Sequence, residues 1–178
     1  MLKLIAIFAL LVTTGSKVTA QSSYNPVIAP FGRIAPAPDA AMQPDRALDY
    51  RVVFSITKAA AEPSEVNPGL DKVARYLNLL AAAKVNPKRG NIIAIVHGPA
   101  TDLVLDHPAY RAKHGLENPN IALIEALARA GAQVHVCSQA LAGQKIPAGD
   151  VSPLVTIDLS ALTTLTTLQL KGWSVMTD

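Results

Sequence analysis

The chain carries one cysteine, Cys137, and its surroundings suit nucleophilic chemistry. It closes the run Gln133-Val134-His135-Val136-Cys137, whose branched residues predict a β-strand. The residues that follow, Ser138-Gln139-Ala140-Leu141-Ala142, predict a short helix. A helix start presents unpaired backbone N–H groups and the positive end of the peptide dipoles, and both favour a thiolate over a thiol. A thiolate attacks disulfide and persulfide sulfur, so one activated cysteine suffices to carry a sulfur atom between partners. A second reading stays open: Cys137 as a small hydrophobe filling the strand end, with burial raising its thiol pKa. A lone cysteine cannot form an internal disulfide, so it is buried and inert, reactive, or joined to another chain.

His97 closes a second apolar run, Asn91-Ile92-Ile93-Ala94-Ile95-Val96, and precedes Gly98-Pro99. In open parallel sheets, ligands collect beyond the carboxyl ends of the strands, and one helical crossover would set His97 and Cys137 on neighbouring ends. His97 is expected to bind backbone groups of its loop rather than to act as a base. His135 shares a strand face with Cys137, which raises the question of a metal. No ligand pair has familiar zinc spacing, and His107 and His114 lie on a connection without fixed geometry, so neither metal nor cofactor is expected. His135 is instead expected against a helix or at a subunit contact. Asn118 is expected to cap a helix. Asn120 and Gln139, at helix starts near the same rim, are expected to line a pocket that Tyr110 closes from a long loop. There is no nucleophile elbow for a Ser-His-Asp triad and no glycine-rich phosphate loop after a strand.

The elements that must hold these residues alternate along the chain from Asp49 onward, the signature of a mostly parallel sheet with covering helices. Tyr50 to Ile56 reads as the first strand, rich in branched and aromatic residues. Asn67-Pro68 starts a helix, with Asn67 as cap and Pro68 where its missing N–H has no partner to lose. Leu70, Val73, Ala74, Leu77, Leu80 and Ala81 give that helix one apolar face until Asn86-Pro87 stops it. Asn91 to Val96 is the continuous apolar run of a strand buried on both faces. The polar connection Ala100 to Glu117 is expected to hold one or two short helices. Asn118-Pro119 repeats the cap-and-proline start, Ile121, Ile124, Leu127 and Ala128 form the apolar face that follows, and Gly131 ends it. After Pro147-Ala148-Gly149-Asp150 come a strand at Val155-Thr156-Ile157, a helix capped by Ser160 that runs to Gln169, and a last strand at Trp173 to Met176.

Ahead of this domain stand two other segments. Residues 1–20 have a signal-peptide layout: Lys3, the apolar run Leu4 to Val12, and small residues ending at Ala20. The run is too short to span a bilayer, so cleavage after Ala20 and a periplasmic or secreted location are expected, with no membrane attachment afterwards. Residues 21–48 are broken by Pro26, Pro30, Pro36, Pro38 and Pro44, which disfavours regular hydrogen-bonded structure. This arm is expected to be disordered or to lie across a neighbouring subunit through Val27, Ile28, Phe31 and Ile34. Residues 49–178 form one α/β domain, long enough for its own core. Aromatic residues make up 4% of the chain, so that core must rest on Ala, Val, Leu and Ile. The formal net charge is +3, and without Lys3 and Lys17 the chain is nearly neutral, with no basic cluster to meet a row of phosphates. Nucleic acid is not an expected partner.

His97-Gly98-Pro99, Asn118-Pro119-Asn120, Val134-His135-Val136-Cys137-Ser138-Gln139-Ala140-Leu141 and Leu159-Ser160-Ala161-Leu162 through Leu168-Gln169 and Gly172 together resemble the DsrE/DsrF-like family. The resemblance covers Asp49 to Met176. It implies a three-layer α/β sandwich with a mainly parallel five-stranded sheet, wound in the flavodoxin manner, and assembly into dimers, trimers or hexamers. In sulfur-relay members a cysteine at the end of the corresponding strand accepts persulfide sulfur, and the matching position here is Cys137. The resemblance thus implies a sulfur-handling protein whose partners are sulfur donors and acceptors, and the signal-peptide layout adds the expectation that it is exported. A non-catalytic oligomeric module that binds a small ligand is the alternative. The chain departs from the relay subunits, which act in the cytoplasm, by its export signal and its proline-rich arm. Its loop around Tyr110 and Asn118 resembles a single-cysteine branch of the family.

Overall fold

The computed structural model describes residues 27–178. The signal-peptide expectation, and the start of the arm, lie outside the described residues. Five strands alternate with helices: β1 Val52–Ile56, α1 Pro68–Ala82, β2 Ile92–Val96, α2 His107–His114, α3 Ile121–Arg129, β3 Gln133–Cys137, α4 Ser138–Gly143, β4 Val155–Asp158, α5 Ala161–Leu170 and β5 Ser174–Thr177. They form one parallel sheet in the order β4-β3-β2-β1-β5. Every residue of β1 and β2 is buried, as central strands covered on both faces require; β2 is apolar throughout, and β1 is apolar but for Ser55.

Side chains alternate between two layers. Val52, Phe54, Ile56, Ile92, Ala94, Val96, Val134 and Val136 join Leu70, Val73, Leu77, Leu123, Ile124 and Leu127 in the larger core beneath α1 and α3. Val53, Ile93, Ile95 and Cys137 form a smaller core with Ala161 on the opposite face, under α5. The edge strands β4 and β5 are mostly uncovered, and the smaller core makes the α5 face the thinner side of the sandwich. Among the described residues no helix is long and apolar enough to cross a membrane.

Local signals place most helix starts. Asn67 caps α1, its Oδ1 accepting from Leu70 N at 3.1 Å, with Pro68 in the first turn. Two ends differ from expectation. Helix α1 stops at Ala82, ahead of Asn86-Pro87, because Lys84 turns left-handed (φ 60°) and the Val85 N–H closes back on Leu80 O. Helix α3 begins at Ile121, after a turn through Pro119 and Asn120. The connection before it holds a 3₁₀ segment, Gly98–Val104, and α2, capped by Asp106.

The arm has little regular structure, as the prolines dictate, yet its described part is held against this chain's own α1. Asn78, fully buried in the middle of α1, accepts from Val27 N (3.2 Å) and Ile28 N (2.9 Å) and donates to Phe31 O (3.0 Å) and Gly32 O (2.9 Å). Gly32 N donates to Asp71 Oδ1 at 2.8 Å, and Ile28 and Ile34 are buried. Gly32 sits at φ 60°, where a Cβ would come within 2.3 Å of Arg75 N, so the arm approaches α1 as closely as only glycine permits. Within one chain the described part of the arm is therefore ordered against its own helix. An asparagine inside an apolar face can satisfy several backbone groups at once, and that draws the segment in.

Candidate functional site

Cys137 occupies the last position of β3, opposite Asp158 at the end of β4. From these two adjacent strand ends the chain departs toward opposite layers. Helix α4 sends Leu141 into the core beneath α1 and α3, whereas α5 starts with Ala161 in the other core. Such a divergence is the topological switch point at which open α/β sheets leave a crevice.

The sulfur therefore meets two helix starts. The N–H groups of Gln139 and Ala140 in α4 and of Ala161 in α5, with the Ser160 hydroxyl, converge on it. Ser160 caps α5 by accepting from Leu162 N at 3.2 Å, which leaves its own hydrogen free for the sulfur. The two starts are tied together: Ser138 Oγ donates to Leu159 O at 2.7 Å, and Gln139 Nε2 reaches the same carbonyl at 3.3 Å. Cys137 is only 5% exposed. That burial works to raise its thiol pKa, but the four donors outweigh it and hold the thiol below its ordinary value.

His97 ends β2 one residue past the pairing of Val96 with Val136, beside the Cys137 position. Its ring does not serve loop backbone groups as expected. Nε2 lies 2.9 Å from Ser55 Oγ, because odd-numbered residues of β1 and β2 share the α5 face. Burial lowers the His97 pKa, and the Asp178 carboxylate opposes that shift. Asp178 is itself fixed by Thr57 N (2.9 Å), Lys58 N (2.8 Å) and Thr57 Oγ1 (2.8 Å). Asp178→Asn is accordingly expected to move the His97 midpoint further down in an NMR titration, since it removes the group that favours imidazolium. An unchanged or raised midpoint would show that the carboxylate is not felt at the ring.

Of the remaining expected binding residues, Tyr110, Asn118 and Asn120 stand on the α1/α3 side, away from the sulfur. Tyr110 does not close over Cys137; its hydroxyl donates to Pro63 O at 2.7 Å and its ring lies 4.4 Å from that of His114. It lines a cleft of about 200 Å³ with Asn67, Asp102, His114 and Asn120. Asn118 Oδ1 accepts from Asn120 N at 2.9 Å, a capping bond one turn ahead of α3. Its amide donates to Leu103 O (3.0 Å) and Leu105 O (2.6 Å), so it holds the 3₁₀ segment rather than a ligand. Asn120 Oδ1 accepts from Asn67 N at 2.8 Å, joining the starts of α1 and α3. Gln139 contributes its backbone N–H to the sulfur, while its exposed side chain braces the β4–α5 loop. Sequence reasoning did not connect Ser160, Ala161 or Asp158 with Cys137; the signal was available only through the pairing of β3 with β4.

Comparison with known proteins completes the description. The family model for the DsrE/DsrF-like family matches residues 51–177. The chain belongs to the DsrE/DsrF-like family. This DsrE-like membership links it in general terms to sulfur relay. A protein of unknown function, MTH1491 from Methanobacterium thermoautotrophicum, superposes with a TM-score of 0.54 at 19% identity, covering 73% of this chain and 100% of its own. The ychN protein from E. coli superposes with a TM-score of 0.51 at 17% identity, covering 72% of this chain and 99% of its own. Both likenesses show the fold, the five-stranded parallel DsrE-like sandwich. No curated protein matches the sequence significantly. The described part of the arm, residues 27–48, precedes the part that the DsrE family model matches.

Proposed function

We propose that this DsrE-like protein is an exported, periplasmic sulfur carrier in which Cys137 accepts sulfane sulfur and passes it on. One observation supports this above the rest: two helix starts aim donors at a single sulfur, an arrangement that favours the nucleophilic thiolate. In the loading step the Cys137 thiolate attacks the outer sulfur of a donor persulfide. The Cys137 S–S bond forms, the donor S–S bond breaks, and the donor leaves as its thiolate. Attack on a disulfide gives a mixed disulfide and one displaced thiolate in the same way. Neither step needs an outside oxidant.

The test is mass spectrometry of the mature protein after exposure to polysulfide and alkylation. The expected result is one added sulfur atom on the Cys137 peptide; alkylated Cys137 without added sulfur would end the carrier reading. A second reading is favoured by the burial of Cys137 and by the separate cleft at Tyr110: an oligomeric ligand-binding module in which the cysteine only packs. Thiol titration separates the two. A midpoint below the ordinary cysteine value of about 8.5 is expected for the carrier, and a thiol inert until unfolding for the module.

Either reading uses an assembly of copies. Leu159, Leu162 and Leu170 are exposed on and just before α5, and no charged residue lies between Leu159 and Leu170. Covering this thin face with a second copy would remove that apolar surface from water.

A further inference from the structure

A partly buried ionisable pair lies beside Cys137 and has no part in the sulfur step. His135 precedes Cys137 by two residues, so both side chains rise on the α5 face. Its Nδ1 lies 3.0 Å from both oxygens of Asp158, the residue paired with Cys137 across β3 and β4. Thr164 Oγ1, in the first turn of α5, donates to Asp158 Oδ2 at 2.7 Å. A carboxylate only accepts, so Nδ1 carries the proton. Nε2 is buried and has no hydrogen-bond partner among the described residues. An imidazole between Val134 and Val136 that leaves one nitrogen unsatisfied is costly, and the bond it does make runs through Asp158.

We propose that His135 is a positioning residue for Cys137: through Asp158 and Thr164 it fixes the first turn of α5 so that Ser160 and Ala161 stay aimed at the sulfur, and its Nδ1–H offsets the carboxylate beside the thiolate. The inference rests on the reading of Cys137 as a reactive thiol. An uncompensated carboxylate one strand away, at a spacing of about 4.8 Å, would disfavour a second negative charge. The surroundings are otherwise sparse in charge. Helices α4 and α5 carry no ionisable side chain, and His97 follows β2. The pair His135–Asp158 is thus the ion pair next to Cys137 along β3 and β4, and its position is held from three elements, β3, β4 and α5.

The experiment measures the pH profile of Cys137 alkylation by iodoacetamide in the full mature protein. His135→Phe is expected to slow alkylation at neutral pH about tenfold, shifting the profile upward by about one unit. His135→Asn, whose amide can stand where Nδ1–H stood, is expected to remain within about threefold of wild type. Thr164→Val, which keeps the shape and drops the hydroxyl, is expected to shift the profile in the same direction by less, and it supplies the answer if His135→Phe does not fold. An unshifted profile in His135→Phe, or in Thr164→Val where that variant must stand in, would overturn the proposal. Equal slowing in His135→Asn and His135→Phe would overturn it too, by giving the role to Nε2. Alkylation requires no sulfur donor, so a failure of Cys137 to take sulfane sulfur is a separate result from any of these.

Discussion

Cys137→Ser is expected to yield a folded protein that takes up no sulfane sulfur and no thiol-directed label. Serine keeps the strand end filled and can accept from the same N–H groups, so the stability change should be within about 1–2 kcal/mol. Its hydroxyl does not ionise near neutral pH, which removes the nucleophile outright. Intact-mass measurement after polysulfide treatment, beside thermal unfolding, checks both halves; sulfur retained on the variant would place the chemistry elsewhere. The same substitution exposes a pH dependence. In the fold the thiol pKa is depressed, because donors from α4 and α5 outweigh the effect of burial. The stabilisation from that preference is fully present above the unfolded thiol value of about 8.5 and is lost as pH falls through the lower folded value. Wild type should therefore gain melting temperature over Cys137→Ser as pH rises through that window. A difference that stays flat or shrinks would contradict the depressed thiol.

Asn78→Ala is expected to cost about 3 kcal/mol or more, the upper part of the range for buried polar networks. The substitution strands the N–H groups of Val27 and Ile28 and the carbonyls of Phe31 and Gly32, all of which Asn78 now satisfies. The arm can regain hydrogen bonds only by lifting off α1 into water, which exposes Ile28 and Ile34 and the helix face beneath them. For a chain of this size such a loss lowers the melting temperature by roughly 6–12 °C. Limited proteolysis should then cut between residues 27 and 34, the part of the arm that is held on α1 in the wild type. A variant that melts like wild type and resists cleavage would show that the arm is held by something other than Asn78.

The candidate site was partly legible because some of its signals are local. The thiol, the strand that ends in it and the helix that follows are contiguous, so Cys137 and the α4 half of the donor set could be read directly. Asn67 and Pro68, and Ser160, marked helix starts by residue type. Tyr110 was misplaced for the opposite reason. A loop residue has no periodicity to say which rim it faces, and a hydrogen bond to Pro63 O holds it over a different cleft. Asn118 had the right chemistry for a cap but spends its amide on Leu103 and Leu105, carbonyls that only the folded loop brings near.

By itself the sequence determined the alternation of strands and helices, the fully buried strand β2 and the position of the sulfur at a strand end, since these follow from periodicities of two and 3.6 residues and from short-range capping. The tertiary structure decided that β4 lies against β3, and hence that α5 brings a second helix start, and the His135–Asp158 pair, to Cys137. It also decided that the arm belongs to its own α1. Both outcomes depend on which surfaces bury each other across long chain separations, a competition among whole faces that no local pattern encodes.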